Sequence, residues 1–281
     1  MLSPLMVLAL SFNSCVKPAP GIHLPTETIE NVAYGSDPKQ RMDIYLPENR
    51  SADSTKLIVV IHGGGWNGGD KREYAPYISE LQKRLPGYAY ANINYRLYNL
   101  NSGNNRFPAQ ENDVKAAIDF LREKSAEYKF SQSMILLGAS AGAHLALLQG
   151  YKIDKPEKVK AVISFFGPSD LIDLYNNPAN PSIPLLLNAV TGTSPTQDKN
   201  LYKQSSPINF VTRQSPPTLI LHGGKDFLVP EKQSILLKEK LESMGVVHEY
   251  IYYPNEGHGW RGENLFDSLD KVATFLRRNL N

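Results

Sequence analysis

The sequence predicts an α/β protein built on a doubly wound, mostly parallel sheet of about eight strands. Three observations carry that prediction. Strand-like and helix-like patterns alternate from residue 57 to the end of the 281-residue chain, the rhythm of parallel strands joined by right-handed crossovers. The run Leu57-Ile58-Val59-Val60-Ile61 is apolar throughout, as a strand covered on both faces must be. Gly138-Ala139-Ser140-Ala141-Gly142 stands between an apolar run, Met134 to Leu137, and an alanine- and leucine-rich stretch, Ala143 to Leu148. That order reads as strand, tight turn and helix.

The elements follow in chain order. Thr28 to Tyr34 and Arg41 to Leu46 alternate in polarity and are parted by Gly35-Ser36-Asp37-Pro38, so they predict an antiparallel pair at one sheet edge. After Leu57–Ile61 comes His62-Gly63-Gly64-Gly65-Trp66. Tyr77, Ile78, Leu81 and Leu85 then lie at helical spacing. Tyr88 to Tyr95 predicts the next strand, and Asn99 to Phe107, rich in Asn and Gly, a loop. Val114, Ala117, Ile118 and Leu121 mark an amphipathic helix within Pro108 to Glu127. Beyond the Ser140 turn, Val159 to Phe166, Thr218 to Leu221 and Glu249 to Tyr253 predict buried strands. Ile235, Leu237, Leu241 and Met244 mark one helix between them. Leu265, Leu269, Val272 and Leu276 mark a closing one.

Asp170 to Thr212 breaks the rhythm. Asn176-Asn177-Pro178, Asn180-Pro181 and Ile183-Pro184 surround a short apolar stretch, Leu185 to Val190. The segment predicts a long irregular insertion at the ligand-binding rim, a small lid or binding loop, with a plain surface elaboration as the alternative.

Composition narrows the function classes. Hydrophobic content of 41% and charged content of 21% describe a globular chain. A net charge of +2 gives no reason to expect a nucleic-acid partner. No zinc-type spacing and no glycine-rich phosphate loop occurs, so no metal and no organic cofactor is expected. The single cysteine, Cys15, follows the apolar run Leu5 to Leu10 and the small residue Ser14. That pattern predicts a bacterial secretory segment whose Cys15 carries a lipid, which makes residues 1–26 leader, membrane anchor and linker. The folded domain is then 27–281, located in the periplasm or anchored at a membrane. An N-terminal helix with an incidental thiol is the other reading. The apolar run is too short to span a bilayer.

The chemistry-bearing residues fall into one order. A serine at the tip of a sharp turn needs small flanks, which Gly138 and Gly142 supply, and the turn aims the Ala141 N–H at the same space. Acyl transfer also needs a base, an acid to orient it, and donors for the oxyanion. His258, in the glycine-flanked loop Glu256-Gly257-His258-Gly259-Trp260, is the preferred base, ahead of His248 and His222. His62 and His144 read as supports of their turns. Asp226, in His222-Gly223-Gly224-Lys225-Asp226, is the preferred acid, 32 residues before His258. Asp170 is the alternative, and its other reading is a helix N-cap. The three glycines after the third strand present N–H groups that no side chain shields.

Together, His62-Gly63-Gly64-Gly65-Trp66, the Ser140 turn, Asp226 and His258 resemble the α/β-hydrolase fold in its hormone-sensitive-lipase-like branch of esterases. Gly68-Gly69-Asp70-Lys71, Gly167-Pro168-Ser169-Asp170 and Asp226-Phe227-Leu228-Val229-Pro230 are similar to small bacterial carboxylesterases, including acetyl and feruloyl esterases of plant polysaccharide. The resemblance covers roughly residues 27 to 280. It implies a triad of Ser140, Asp226 and His258, and oxyanion donors at Gly64, Gly65 and Ala141. It implies a small-molecule or oligosaccharide ester as substrate. The chain has little room for the N-terminal helical cap of larger members, which argues against long-chain lipase activity. Trp66, beside the glycines, and Trp260, beside the histidine, are expected to line the substrate pocket, with Leu185 to Leu187 from the insertion, and to suit a short acyl chain or a flat aryl acyl group that stacks on a ring; the alternative is that both tryptophans only pack their loops. A serine peptidase of related fold and a catalytically silent binding protein are the competing classes.

Overall fold

The computed structural model describes residues 23–153 and 158–280; the expectation for Cys15 lies outside them. Eight strands form one sheet: β1 (Glu27–Ala33), β2 (Arg41–Leu46), β3 (Leu57–Ile61), β4 (Ala89–Ile93), β5 (Met134–Ala139), β6 (Val159–Phe165), β7 (Thr218–Gly223) and β8 (His248–Tyr253). Their spatial order is β1-β2-β4-β3-β5-β6-β7-β8. β1 and β2 pair antiparallel, as does β2 with β4, and every later pair is parallel. The central strands are buried along their whole length, which explains their unbroken apolar runs.

Strand alternation divides the core into two layers. Leu57, Val59, Ile61, Met134 and Leu136 face one side. Ile58, Val60, Ile135 and Leu137 face the other. The first side is covered by α2 (Ala109–Glu123), α4 (Ala141–Leu148) and α8 (Lys232–Ser243), with the short α3 (Ser125–Tyr128) beside α2. The second is covered by α1 (Ala75–Arg84) and α9 (Gly262–Leu280), which pack on each other. α9 seats Leu269, Val272 and Leu276 on that layer, and each such buried aliphatic contributes about 1.5–3 kcal/mol. Arg84 of α1 ties to Asp270 of α9 at 2.6 Å. Among the described residues, no helix is long and apolar enough to cross a membrane.

The segment from 170 to 212 is not the irregular stretch its prolines suggest. It folds into α5 (Leu171–Asn176), α6 (Ser182–Thr191), α7 (Lys199–Gln204) and a 3-10 turn at Pro207–Phe210. Pro184 stands in the first turn of α6, where a missing N–H costs nothing. Asp170 accepts from the N–H groups of Ile172 and Asp173 and so caps α5. Leu174, Ile183, Leu187 and Val190 bury these helices on the same core layer as α2 and α4.

Candidate active site

The parallel strands end together at one rim, and the loops leaving them carry the candidate residues. Between β5 and α4 the chain reverses at Ser140, with φ +54° and ψ −124°, a conformation that a non-glycine residue holds only when its surroundings impose it. The surroundings here are backbone. A Cβ on Gly138 would meet the Gly142 carbonyl at 2.3 Å, and one on Gly142 would meet the Ile61 carbonyl at 2.1 Å. Only bare glycines let the turn close against β3. The Ser140 N–H donates to the Phe165 carbonyl at 2.9 Å, and Ser140 accepts from His144 N–H at 3.0 Å.

The turn delivers Ser140 Oγ to a chain of hydrogen bonds. His258 Nε2 lies 2.8 Å from Ser140 Oγ. His258 Nδ1 lies 2.7 Å from Asp226 Oδ2. Asp226 Oδ1 accepts from the N–H groups of Leu228 and Val229, both at 2.9 Å. The Asp226 side chain is fully buried, whereas His258 keeps 16% of its side chain exposed. A carboxylate so held has no freedom to swing, and it fixes the imidazole with Nδ1 as donor and Nε2 facing the serine. Asp170 stays at the head of α5, engaged as a cap. His222 is buried between Ser234 Oγ, at 2.7 Å, and the Val229 carbonyl, at 2.9 Å. It packs behind the acid, and burial pushes its imidazole below the ordinary value.

Opposite the histidine runs the glycine loop after β3. Gly64 and Gly65 have φ of +107° and +57°, which leaves their N–H groups turned out of any regular ladder. Gly63 N–H is used: it donates to Tyr74 Oη at 3.1 Å. No described hydrogen bond takes up the N–H of Gly64 or Gly65, and Ala141, the first residue of α4, has an N–H without an intrahelical partner. Three N–H groups thus have no described partner, and the loop that carries two of them abuts the serine at Gly63, where a Cβ would stand 3.3 Å from Ser140 Cβ. His62 supports this loop. Its ring stacks on Tyr95 at 4.3 Å and donates from Nδ1 to the Gly63 carbonyl at 2.7 Å. Burial pushes the His62 imidazole down to about 4.

The two tryptophans separate. Trp260 is buried on the α1 and α9 side, against Phe166, Phe165 and Tyr253, and lines a cavity there. Trp66 does not line it. Its backbone turns through φ +60° and buries the indole on the opposite layer. There its Nε1–H donates to His144 Nδ1 at 3.3 Å, and His144 donates from Nε2 to the Ser205 carbonyl at 2.6 Å. Burial pushes His144 down to about 4, so it stays a neutral connector. The expectation that Trp66 forms a pocket wall is therefore corrected: it pins the glycine loop to the helix that follows Ser140. Of the insertion leucines, Leu187 is core, Leu185 is exposed, and Leu186 Cδ2 sits 3.1 Å from where a Gly65 Cβ would be.

Two residues at this rim escaped the sequence reading. Phe166 follows β6 with φ +41° and sets its ring 4.7 Å from that of His258. Tyr74 precedes α1 and fixes Gly63; burial pushes its phenol up to about 12, so it keeps its proton. A second aromatic beyond a strand end, at Phe165-Phe166, is the one signal the sequence offered.

A model of the BD-FAE family matches residues 42–241. The chain belongs to the BD-FAE family. The match includes the glycine loop, the Ser140 turn and Asp226, and it ends before the His258 loop. Esterase LipC of Mycobacterium tuberculosis (strain ATCC 25618 / H37Rv) is 28% identical over 256 residues, 86% of this chain and 61% of LipC. The chain thus spans about three fifths of that curated relative. Among solved structures, a bifunctional GH43-CE protein of Bacteroides eggerthii aligns with a TM-score of 0.76 and 30% identity, over 90% of this chain and 38% of that one. A truncated carbohydrate esterase from gut microbiota aligns with a TM-score of 0.75 and 28% identity, over 94% of this chain and 99% of that one. This BD-FAE chain has the α/β-hydrolase fold.

Proposed function

We propose that the chain is a serine carboxylesterase acting on short-chain acyl esters carried by carbohydrate. One observation supports this above all: Ser140 Oγ, His258 and Asp226 are linked by hydrogen bonds of 2.8 and 2.7 Å, with unused backbone donors across the serine. In this reading Ser140 Oγ attacks the ester carbonyl and His258 Nε2 takes its proton. The N–H groups of Gly64, Gly65 and Ala141 hold the oxyanion, and Asp226 stabilises the imidazolium. The carbonyl re-forms, the C–O bond breaks, and His258 gives its proton to the leaving alcohol. Water, deprotonated by His258, then attacks the acyl-enzyme; its collapse frees the acid and restores Ser140.

The carbohydrate part leans on the two structural relatives, one a carbohydrate esterase and the other a bifunctional GH43-CE protein. The sequence pattern at Ser14-Cys15 supports a lipidated, membrane-anchored or periplasmic form. Two experiments test the reading. A fluorophosphonate probe labels the wild type and leaves Ser140→Ala unlabelled; an unlabelled wild type sinks the serine mechanism. In the native host, Cys15→Ser releases the protein from membranes or blocks processing, and an intact mass that retains residues 1–14 rejects the anchor.

A further inference from the structure

The motif Gly68-Gly69-Asp70-Lys71 takes no part in the hydrogen-bonded chain of Ser140, His258 and Asp226. It backs the glycine loop instead. Gly68 N–H donates to the Gly64 carbonyl at 2.8 Å, and a Cβ on Gly69 would meet the Gly63 carbonyl at 2.4 Å. The motif runs into a 3-10 turn, Lys71–Tyr74, and that turn is fastened at both ends. At its start Lys71 is buried, with Nζ 2.5 Å from Asp43 Oδ2 on β2. Asp43 Oδ1 is occupied as well, accepting from Asn31 N–H at 2.8 Å. The Lys71 backbone is also held: its N–H donates to Asn94 Oδ1 and its carbonyl accepts from Asn92 Nδ2, both at 2.6 Å. At the far end of the turn, Tyr74 Oη accepts from Gly63 N–H at 3.1 Å.

We propose that the buried Lys71–Asp43 ion pair positions the oxyanion donors: it seats the turn that holds Gly63, and so sets where the N–H groups of Gly64 and Gly65 stand. The proposal rests on the serine esterase reading and adds which part of the fold places the donors. Energetics point away from a stability role. Two charges taken out of water lose hydration that their attraction barely recovers, so apolar side chains of similar volume often serve stability as well or better. What the pair supplies is one geometry. A buried ammonium must meet an acceptor, and here that acceptor is Asp43 Oδ2. The loop needs such a fixture. Residues 63–69 include five glycines in seven positions, a backbone with little stiffness of its own, yet oxyanion donors act by being in place before charge develops. The anchors lie on opposite layers of the sheet. Trp66 fastens the loop on the α2 and α4 layer, and Tyr74 fastens it on the α1 and α9 layer. Lys71 and Asp43 act through Tyr74 and Gly63, and are therefore positioning residues.

The test compares the wild type with Lys71→Met, with the double variant Asp43→Leu/Lys71→Met and with Tyr74→Phe. The probes are p-nitrophenyl acetate and a trifluoromethyl ketone that captures Ser140 as a hemiketal. Rates are counted per chain labelled by a fluorophosphonate at saturation, so a misfolded fraction does not enter. Lys71→Met should lower kcat at least tenfold and leave KM within twofold. The midpoint of the pH profile of kcat/KM should stay in place, because His258 and Asp226 are untouched. Affinity for the ketone should weaken at least tenfold, since its oxyanion uses the same donors. The double variant should regain the wild-type Tm and keep the low kcat, which a purely structural pair would not do. Tyr74→Phe breaks the turn at its other end and should give the same signature. Less than twofold loss of kcat and ketone affinity in Lys71→Met, or a kcat that returns with Tm in the double variant, overturns the positioning role and leaves the esterase. If neither Lys71 variant folds, Tyr74→Phe decides: a tenfold loss of kcat at constant KM supports the proposal, and a loss under twofold rejects it. A wild type that neither hydrolyses the ester nor takes the fluorophosphonate overturns both readings.

Discussion

The two layers of the core treat their tryptophans in opposite ways. On the α2 and α4 layer, Trp66 is locked by a hydrogen bond to His144, which is locked in turn to Ser205. On the α1 and α9 layer, Trp260 sits among aromatic rings and leaves a cavity beside it. Trp66 is bonded to a histidine 78 residues away, whereas Trp260 donates to Ser268 Oγ of the neighbouring α9 and borders a cavity. The lesson is a division of labour around one serine. In the proposed mechanism, the Trp66–His144–Ser205 chain ties the loop that carries the oxyanion donors to the helix after Ser140.

The sharpest way to break this comparison is at the boundary between the layers. Asp226→Asn should lower kcat/KM by on the order of 10³ to 10⁴, because the imidazole loses its orienting partner. Asp170, which opens the insertion, should be replaceable by Asn with less than a tenfold loss. If steady-state kinetics gave the reverse pattern, the acid would belong to the insertion.

The next effect is on stability against pH. His62 and His144 have imidazoles held down to about 4 by burial, against about 6.5 unfolded. The unfolded chain therefore binds more protons between these values. Stability present above pH ~6.5 is lost as the pH falls toward 4, by on the order of 3 kcal/mol per histidine. Thermal melts should fall through that window, and His144→Gln should flatten the fall. A Tm independent of pH from 7 to 4 would show that neither imidazole is buried neutral.

Trp66→Phe keeps the ring and removes the bond to His144. Donor misplacement acts on the transition state, so kcat should drop about tenfold with KM nearly unchanged. Trp260→Phe should instead move KM and acyl preference. Equal effects on KM from both substitutions would erase the distinction between the layers. The smallest effect belongs to Leu185→Ser. It should change stability by less than about 0.5 kcal/mol, because Leu185 is 70% exposed, and raise KM for esters on oligosaccharides more than for p-nitrophenyl acetate.

Much of this was legible in the sequence, and for physical reasons. Leu57–Ile61 announces itself because a strand buried on both faces has no solvent side to call for polar residues, and this one carries none. The Ser140 turn does so because backbone crowding at Gly138 and Gly142 admits no side chain. The sequence order of Ser140, Asp226 and His258 put all three at one rim, where the structure brings them within hydrogen-bonding distance. What escaped depends on backbone angles and distant partners. The layer chosen by Trp66 follows from φ at Gly65 and Trp66 and from a partner 78 residues away. Phe166 and Tyr74 carry no spacing rule at all. The insertion looked irregular because its helices are short and begin at Asp170, Pro181 and Asp198, residues that punctuate loops as readily as they start helices.

The position of His258 has a consequence for the order in which the protein becomes competent. In the proposed mechanism the nucleophile, oxyanion donors and acid all lie before residue 227, but the base arrives on a loop held between β8 and α9, which follow them in the chain. α9 also supplies Leu265 and Leu269, one wall of the cavity. A growing chain halted before Gly257 therefore carries a serine without a proton acceptor and a recess open along one side. It should be inert toward a fluorophosphonate, and it becomes reactive only when the final helix docks on α1. Labelling of such a halted chain would place the base elsewhere.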